Sequence, residues 1–584
     1  MKNKAVEHIN KRSWLLLIGL LAVTGGILYK LFVIEFIQGA HYRELAQRYT
    51  IRTFKVKAER GNIYSEDERL LAISAPFYTV HFDPMVIKSD KDYYAHLPAL
   101  SRGLARITGK PADYWQRKLR KARREKRRYV LIAKDLSYDQ FDAVRKLPLF
   151  KRGRYKGGFI YDIRRVRKYP FGNMMKRTIG ASNEITKYGL EGAYDKILRG
   201  EDGERLKQRI NSKQWKPVND FNEKEPVNGY DLVTTMNMQM QDIAHQSLLQ
   251  QLKKYKADHG TLVLMEVKTG AVKAIVNLKR RPDGSYKETR NYAVYEKIEP
   301  GSLFKTFTFL TWFEDGVADT SDVYRISKRW KYYDRYISDA HHYNVDRLSI
   351  ADAFVKSSNI ITAKVTDKYY RTQPERFTGR LIGDFGLGEK LHLDIKGESE
   401  PVIPHPGQKD WKAYKLGMMS FGYGVQLTPL QILTVYNGIA NGGRVMKPYF
   451  VREIQNKGHT VKKIKPQTLN NALASPKNID KIRKLMRQVV ERGTAVNVNS
   501  PYVKIAGKTG TTQTDYWTSD IQYIASFAGF FPYDNPKYSM IVVIHKPDKS
   551  MGYYGNQVAG TVFREVAEQV YGITPQKMIA KNEE

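Results

Sequence analysis

The chain has 584 residues, and its 98 Lys and Arg against 60 Asp and Glu give a formal net charge of +38. With 42% hydrophobic residues it can bury sizeable cores, so the composition excludes global disorder, and the length predicts about two to four domains. The chain has no cysteine, which excludes a disulfide-stapled fold, a thiolate zinc site, an iron–sulfur cluster and a thiol nucleophile.

A long apolar run follows the first dozen residues. Trp14–Tyr29 carries no charge, and Leu31–Ile34 extends the run past the single Lys30. Roughly 20 helical residues span a hydrocarbon core, so the run predicts a transmembrane signal anchor over 14–37. It is longer than the apolar region of a cleaved signal peptide, and no small-x-small cleavage site follows it. Basic residues in the preceding tail, 1–13, favour a cytoplasmic N-terminus.

Residues 102–128 form a strongly basic stretch with twelve Lys or Arg and two acids. The local composition predicts a helix with few apolar positions. A solvated helix face accounts for such a stretch, and so does attraction to anionic lipid headgroups or to an acidic partner. The sequence leaves both interpretations open.

From residue 229 onward, strand and helix patterns alternate around a helical middle. Val263 and Ile275 lie in two apolar strands that flank Lys268-Thr269-Gly270, which predicts a hairpin turn. The predicted strands are Asp231–Thr235, Thr261–Val267, Ala271–Val276, Ile521–Phe531 and Tyr538–Ile544, and the predicted helices are Met238–Tyr255 and a closing helix that contains Phe563 and Tyr571. The pattern predicts an α+β domain in which helices pack on a sheet.

The most informative serine is Ser302, which begins a strongly apolar helix after Pro300-Gly301. It is the one serine in the chain with a lysine three positions later, Lys305. Residues i and i+3 lie on the same helical face, so the hydroxyl and the amine can meet. A serine hydroxyl needs a base to become a nucleophile, and burial in an apolar helix favours the neutral amine that can serve as one.

A second polar pair, Ser357 and Asn359, follows 55 positions after Ser302. A hydroxyl and an amide presented together can relay a proton and bind a backbone amide of a substrate. Taken alone, this pair is more typical of a helix cap or turn.

A third element, Val503–Thr512, has the alternation of a strand. Lys508 offers a positive charge suited to a carboxylate, Thr509 and Thr511 offer hydroxyl donors, and Gly510 lets another chain approach the backbone. The earlier copy of this tripeptide, Lys268-Thr269-Gly270, is interpreted as the hairpin turn.

The three elements in this order resemble the Ser-x-x-Lys, Ser-x-Asn, Lys-Thr-Gly set of the penicillin-recognising serine enzymes. Further motifs are similar to those of class B penicillin-binding proteins, most like the division-specific branch. In the first half these are Arg60-Gly61-Asn62-Ile63, Leu70-Leu71-Ala72, Tyr169-Pro170, Gly180, Gly189-Leu190-Glu191-Gly192 and Leu198-Arg199-Gly200. In the second half they are Ser420-Phe421-Gly422-Tyr423-Gly424, Thr428-Pro429-Leu430-Gln431 and Ala440-Asn441-Gly442-Gly443.

The resemblance implies a peptidoglycan D,D-transpeptidase that acts on the D-Ala-D-Ala end of a stem peptide and is acylated by β-lactams. Ser302 is the implied nucleophile and Lys305 its general base, while Ser357 and Lys508 pass a proton to the leaving amine. Asn359 is implied to hold the donor amide. The implied carboxylate site is Lys508, Thr509, Gly510 and Thr511, and the implied oxyanion hole is the backbone N–H groups of Ser302 and Thr511. No metal or organic cofactor is implied.

The resemblance also implies the domain order and the partners. A cytoplasmic tail (1–13) and the anchor (14–37) precede an elongated, mixed α/β non-catalytic pedestal module (38–225). A penicillin-binding transpeptidase domain (226–576), with an antiparallel sheet flanked by helices, and a tail (577–584) follow. The implied partners are stem peptides, β-lactams, the lipid bilayer, a polytopic membrane glycosyltransferase and other division proteins, but no nucleic acid. The implied location is the bacterial cytoplasmic membrane, with the catalytic domain outside the cytoplasm.

Other functions stay open on the sequence alone. An elongation-type class B transpeptidase, a D,D-carboxypeptidase and a β-lactamase-like serine hydrolase share the same three elements. A β-lactam sensor or an inactive division scaffold is the non-enzymatic alternative. A bifunctional synthase needs a glycosyltransferase domain, whereas residues 38–225 resemble the non-catalytic module.

Overall fold

A computed structural model describes residues 2–42, 51–183, 185–211, 214–217, 224–340, 343–514 and 520–574. These residues form two compact units, one of residues 1–60 with 199–229 and one of residues 61–198 with 230–584. The predicted tail, 577–584, lies outside the described residues.

The first unit contains the predicted membrane anchor. A helix, Lys2–Phe32, continues into a π-helical turn, Val33–Ile37, and the segment Ser13–Ile37 is long and apolar enough to cross a membrane. Its apolar side chains point outward, with Leu16 75% exposed, as a lipid-facing helix requires. Three antiparallel strands complete the unit, Ile51–Val56, Gly203–Asn211 and Gln214–Pro217.

The second unit begins with a seven-stranded sheet. In order across the sheet, the strands are His459–Lys463, Val451–Asn456, Asp231–Thr234, Ile63–Tyr64, Leu70–Phe82 and Val130–Leu136, with Phe159–Lys168 also paired to Leu70–Phe82. The strand Asp231–Thr234 pairs parallel with Ile63–Tyr64 and antiparallel with Val451–Asn456. This strand therefore joins the strands that precede residue 170 to those that follow residue 450, and the two parts of the second unit share one sheet.

Helices and short turns cover the first part of this unit. They are Pro84–Val86, Asp90–Thr108, Ala112–Arg124, Tyr138–Arg145, Phe150–Arg152, Gly153–Gly157, Lys176–Ile179, Gly189–Ala193 and Asp195–Arg199, with a small ribbon of Ala181–Ser182 and Lys187–Tyr188. The basic stretch is helical over Ala112–Arg124, as predicted. It buries Trp115, Leu119 and Ala122, while most of its charged residues face solvent.

A six-stranded antiparallel sheet forms the centre of the second half of the unit. Its order is Tyr286–Lys287, Val272–Arg280, His259–Glu266, Tyr538–His545, Gln522–Phe531 and Ala506–Thr514. Four of the strands predicted in the alternating region lie in this sheet, and so does the predicted strand Val503–Thr512, observed as Ala506–Thr514. Residues 268–270 form the predicted turn, with Gly270 at a positive φ of 80°. Every residue of Tyr538–His545 is buried, so the sheet is covered on both faces.

The helices of this half pack on the central sheet and on each other. They are Met238–Lys254, Tyr292–Tyr295, Gly301–Phe304, Lys305–Asp315, Ile350–Val355, Asn359–Tyr370, Pro374–Gly379, Arg380–Asp384, Tyr414–Ser420, Pro429–Ala440, Pro476–Arg492, Val496–Val498, Asn556–Gly560 and Thr561–Ile573. Three ribbons lie outside the sheet: Val323–Arg325 with Arg347–Ser349, Arg329–Tyr332 with Arg335–Ser338, and Val445–Met446 with Thr468–Asn470. The predicted α+β fold is therefore confirmed.

Candidate active site

Ser302 lies in a tight 3-10 turn, Gly301–Phe304, that leads directly into the helix Lys305–Asp315. Gly301 has a positive φ of 53°, and a Cβ atom built on it would lie 2.2 Å from Thr512 Oγ1. Its N–H donates to the carbonyl oxygen of Gly422 at 3.2 Å. Only glycine fits this position without strain, and it fixes the direction in which the turn presents Ser302.

The segment Ser420–Gly424 holds this turn in place. The N–H of Gly424 donates to Glu299 Oε1 at 2.8 Å, and Thr308 Oγ1 donates to the Ser420 carbonyl at 2.6 Å. Tyr423 Oη accepts the N–H of Gln513, on the edge strand, at 3.2 Å. This motif of the sequence therefore connects the turn, the helix and the strand around the candidate site.

Lys305 is completely buried at the start of its helix. Its Nζ lies 2.6 Å from the Ser357 carbonyl oxygen, 3.1 Å from Ser357 Oγ and 2.7 Å from Asn359 Oδ1. The two motifs that lie 55 positions apart in the chain thus meet through this amine.

Lys508 reaches the same hydroxyl from the edge strand Ala506–Thr514. Its Nζ, also completely buried, lies 2.9 Å from Ser357 Oγ and 3.3 Å from the Thr509 carbonyl oxygen. Lys305, Ser357, Asn359 and Lys508 form what we call the amine cluster. Ser357 Oγ lies between the two amines, so it can pass a proton from one to the other or to a bound substrate.

The backbone of Ser357 is strained. Its φ of 60° lies in the left-handed region, which is costly for a residue other than glycine. The hydrogen bond from Lys305 to its carbonyl oxygen holds this conformation. Such strain is common where a side chain must be aimed for function.

Burial changes the charge state of both amines. Burial lowers the pKa of Lys305 to about 7, against an opposing effect of the Asp339 carboxylate. Burial and the nearby Lys305 amine lower the pKa of Lys508 well below its usual value. A neutral amine, which can accept a proton, is therefore populated near pH 7, far below the usual lysine pKa of about 10.4.

Ser302 is half-buried, and no hydrogen bond joins its Oγ to any other residue that the structure describes. Lys305, one turn later, donates to Ser357 and Asn359 instead. The predicted contact between the hydroxyl and the Lys305 amine is thus not a hydrogen bond here. The structure brings together four of the predicted catalytic residues. The fifth, Ser302, lies three residues before Lys305 and has no hydrogen bond from its hydroxyl within the described part of the chain.

The predicted carboxylate-binding residues lie on the edge strand. Thr509 Oγ1 is 2.7 Å from Thr494 Oγ1, and Thr511 Oγ1 accepts the N–H of Gly555 at 2.9 Å, which leaves its own proton free to donate. A Cβ atom on Gly510 would lie 2.3 Å from Ser526 Oγ, so this glycine permits the close packing. An edge strand presents unpaired N–H groups, as an oxyanion hole at Thr511 requires.

Sequence reasoning missed Asp339 and Thr494. Asp339 accepts hydrogen bonds from Ser358 Oγ (2.7 Å) and from the N–H groups of Asn359 (2.6 Å) and Ile360 (3.0 Å). It thereby caps the helix that begins at Asn359 and fixes the segment that contains Ser357. No spacing rule pointed to either residue, because each comes from a loop far from its partner in the chain.

Two domain families match the chain in the order that this architecture requires. Residues 55–234 match the penicillin-binding protein dimerisation domain, and residues 260–568 match the penicillin-binding protein transpeptidase domain. The fold and the site therefore define a penicillin-binding protein. The chain belongs to class B of that family, in which a dimerisation module precedes the transpeptidase domain.

Relatives match nearly the whole chain. The chain is 26% identical to a protein named "Probable peptidoglycan D,D-transpeptidase PenA" from Neisseria meningitidis, over 97% of this chain and 94% of that protein. It is also 26% identical to "Peptidoglycan D,D-transpeptidase FtsI" from Escherichia coli K12, over 95% of this chain and 91% of that protein.

Solved structures share the fold. Penicillin binding protein 2X from Streptococcus thermophilus aligns with a TM-score of 0.73 at 20% identity, over 89% of this chain and 80% of that one. Penicillin binding protein 3 from Mycobacterium tuberculosis, complexed with aztreonam, aligns with a TM-score of 0.64 at 21% identity, over 89% and 97%. At these identities the likeness establishes the fold alone.

Proposed function

We propose that the chain is a division-type peptidoglycan D,D-transpeptidase that works through a serine acyl-enzyme and is acylated by β-lactams. The observation that carries this proposal is that two buried amines, Lys305 and Lys508, both contact the hydroxyl of Ser357. Lys305 follows Ser302 by one helical turn. The family match and the names of the PenA and FtsI relatives support this activity.

The proposed first half-reaction uses these residues in sequence. Ser302 Oγ attacks the carbonyl carbon of the penultimate D-Ala, and neutral Lys305 takes its proton. The C–N bond to the last D-Ala breaks, and the proton passes from Lys305 through Ser357 to the leaving amine, with Lys508 holding the Ser357 hydroxyl in place. The product is an ester between Ser302 and the donor stem peptide.

Backbone and side-chain donors hold the donor during this step. The N–H groups of Ser302 and Thr511 stabilise the oxyanion, and one such donor contributes about 3–4 kcal/mol. Asn359 binds the donor amide, while Lys508, Thr509 and Thr511 bind its carboxylate and Gly510 lets it approach the strand. An amine of a neighbouring stem peptide then attacks the ester and gives a proton to Lys305. The C–O bond to Ser302 breaks as the cross-link forms, and Lys305 returns the proton to Ser302 Oγ.

The chain is proposed to be a single-pass protein of the bacterial cytoplasmic membrane. The apolar helix Ser13–Ile37 supports an anchor, and basic residues before it favour a cytoplasmic N-terminus. A polytopic glycosyltransferase and other division proteins are its proposed partners, because residues 55–234 match the dimerisation domain. We propose module boundaries at 38–225 and 226–576, as implied by the motifs.

The full-length protein in detergent, given glycan strands with pentapeptide stems, tests this function. Free D-Ala and cross-linked muropeptides are measured by liquid chromatography and mass spectrometry, with Ser302→Ala as the control. A transpeptidase forms cross-linked dimers as it releases D-Ala. Release without dimers indicates a carboxypeptidase, and neither product indicates a scaffold or sensor, so both results contradict the proposal.

The rate of acylation by benzylpenicillin should depend on pH through the Lys305 amine. Lys305 must be neutral to accept a proton, and its pKa is about 7. The rate should therefore rise about tenfold between pH 6 and pH 8 and then level off. Stopped-flow acylation across pH 5–10 measures this. A rate that still rises steeply between pH 9 and pH 10 contradicts a depressed pKa.

Asp339→Asn should weaken the cap that positions Ser357 and Asn359. The new amide keeps one acceptor oxygen but presents an NH₂ group to donors, so one of the three hydrogen bonds is lost, at about 1–3 kcal/mol. We expect a lower melting temperature and an acylation rate reduced about 10- to 100-fold.

The matched control is Asp334→Asn on the neighbouring turn, where an exposed carboxylate pairs with Arg335. It should change neither quantity. Equal effects of the two variants on acylation would show that Asp339 does not position the site. Because the Asp339 carboxylate raises the pKa of Lys305 against burial, Asp339→Asn should also shift the rise in the pH profile to lower pH.

A further inference from the structure

A cluster of histidine and glutamate side chains lies at one end of the central sheet. His259 and His545 pair directly across two antiparallel strands, and their rings stack at 4.0 Å with an interplanar angle of 19°. Glu296 Oε2 lies 2.8 Å from His259 Nε2 and 3.3 Å from His545 Nε2. We call these three residues the histidine cluster. None of them belongs to the motifs of the proposed catalytic site.

One nitrogen of this cluster is unsatisfied. His545 is only 7% exposed, and its buried Nε2 makes no hydrogen bond with any residue that the structure describes, although it points towards Glu296. An unpartnered polar atom in the interior costs about 1–3 kcal/mol. A ligand at this point would satisfy it.

The second ring nitrogen of His259 is already held as in many metal sites. Asp258 Oδ2 lies 2.6 Å from His259 Nδ1, and Lys279 Nζ lies 2.9 Å from the same carboxylate. Because this carboxylate holds Nδ1–H, Nε2 is the nitrogen that can bind an ion once the ion replaces the proton between Nε2 and Glu296. His259 Nε2 is therefore oriented as a ligand towards Glu296 and His545.

We propose that His259, Glu296 and His545 bind a divalent transition-metal ion of the zinc class. Among the residues that the structure describes, these are the group whose potential ligand atoms all lie within 4.8 Å of one another. A tetrahedral zinc site with bonds of about 2.05 Å separates its ligands by about 3.4 Å. The two stacked rings must therefore rotate out of their near-parallel arrangement to aim both Nε2 atoms at one ion, and water supplies the fourth ligand. Two imidazoles and one carboxylate favour Zn²⁺ over Mg²⁺ or Ca²⁺.

The position of Glu296 indicates what the ion does. Glu296 precedes the segment in which Ile298 pairs with Leu427 and Glu299 accepts the N–H of Gly424, and this segment leads into Ser302. An ion bound to two strands of the sheet and to Glu296 ties that segment to the sheet. Its ligands are distinct from the amine cluster, so the ion's role in this proposal is to hold this segment and not to take part in acylation. Binding displaces the proton shared between His259 and Glu296.

Metal content and spectroscopy test this site without an assay of activity. The full-length protein, carrying a tag without histidine, is stripped with a chelator, loaded with Zn²⁺ or Co²⁺ and passed through a desalting column. Elemental analysis should find one more zinc per chain in the wild type than in His545→Asn or Glu296→Gln. His459→Asn, at an exposed position on a surface strand, is the matched control and should keep the zinc.

The wild-type protein alone also decides the question, in case a variant misfolds. Co²⁺ should give the intense visible bands of a four- or five-coordinate ion, and saturating Zn²⁺ should raise the melting temperature by about 3 °C or more. Equal zinc in the wild type and in folded variants, or a wild-type spectrum of six-coordinate aqueous cobalt, overturns the proposal. The cluster then holds a proton only.

Discussion

Lys305→Met should reduce the rate of acylation by benzylpenicillin about 10³- to 10⁴-fold, the upper part of the range for a positioned general base. Methionine is unbranched and of similar length, so the helix Lys305–Asp315 keeps its packing. The change removes the one amine that is one turn from Ser302 and within 2.7 Å of Asn359 Oδ1. Stopped-flow fluorescence or timed quenching with a labelled penicillin measures the rate.

The control for this variant is Lys368→Met, which removes an exposed amine from the helix Asn359–Tyr370. It should acylate at the wild-type rate. A Lys305→Met protein that is folded and acylates within tenfold of the wild type would require a different base. Lys508 is then the remaining candidate, because it shares the Ser357 hydroxyl.

Ser357→Ala should lower acylation about 10²- to 10³-fold by removing the hydroxyl that bridges the two amines. Without Ser357 Oγ, Lys305 and Lys508 lose contacts of 3.1 Å and 2.9 Å, and no group remains to carry the proton to the leaving amine. The loss should be larger for D-Ala-D-Ala peptides, whose leaving amine departs, than for β-lactams, whose amine stays tethered. Parallel measurements of D-Ala release and penicillin acylation separate the two.

The neighbouring serine provides a matched comparison. Ser358 Oγ donates to Asp339 and accepts the N–H of Ile361, so Ser358→Ala removes a helix cap worth about 1 kcal/mol but no relay. It should lower the melting temperature more than Ser357→Ala does, yet slow acylation less than tenfold. Equal losses of activity in the two variants would mean that Ser357 acts only by holding the loop.

The sequence predicted the residues of the amine cluster because short motifs carry them. Spacing places Lys305 one turn after Ser302, and strand alternation directs Lys508 towards the helices. The direction of the Lys305 side chain was not predictable in this way. The Ser357 carbonyl oxygen and Asn359 Oδ1 hold the amine. These residues lie 52 and 54 positions later in the chain, so the contacts depend on tertiary packing.

The residues that support the site could not be read from local patterns. Asp339 follows the ribbon strand Arg335–Ser338 and reaches Asn359 only because the ribbon folds back on that helix. The histidine cluster was not predicted either, because its residues lie just beyond the ends of the predicted strands. The strands were predicted as Thr261–Val267 and Tyr538–Ile544 from their apolar residues, whereas they extend to His259 and His545, where the polar pair meets.

The central claim, that Ser302 is the residue acylated, is tested most directly by intact-mass analysis after treatment with benzylpenicillin. The wild-type protein should gain the mass of one penicillin per chain, and peptide mapping should locate it on the segment that contains Ser302. Ser302→Ala, folded with an unchanged melting temperature, should gain none. An adduct on both proteins, or on neither, would contradict the account.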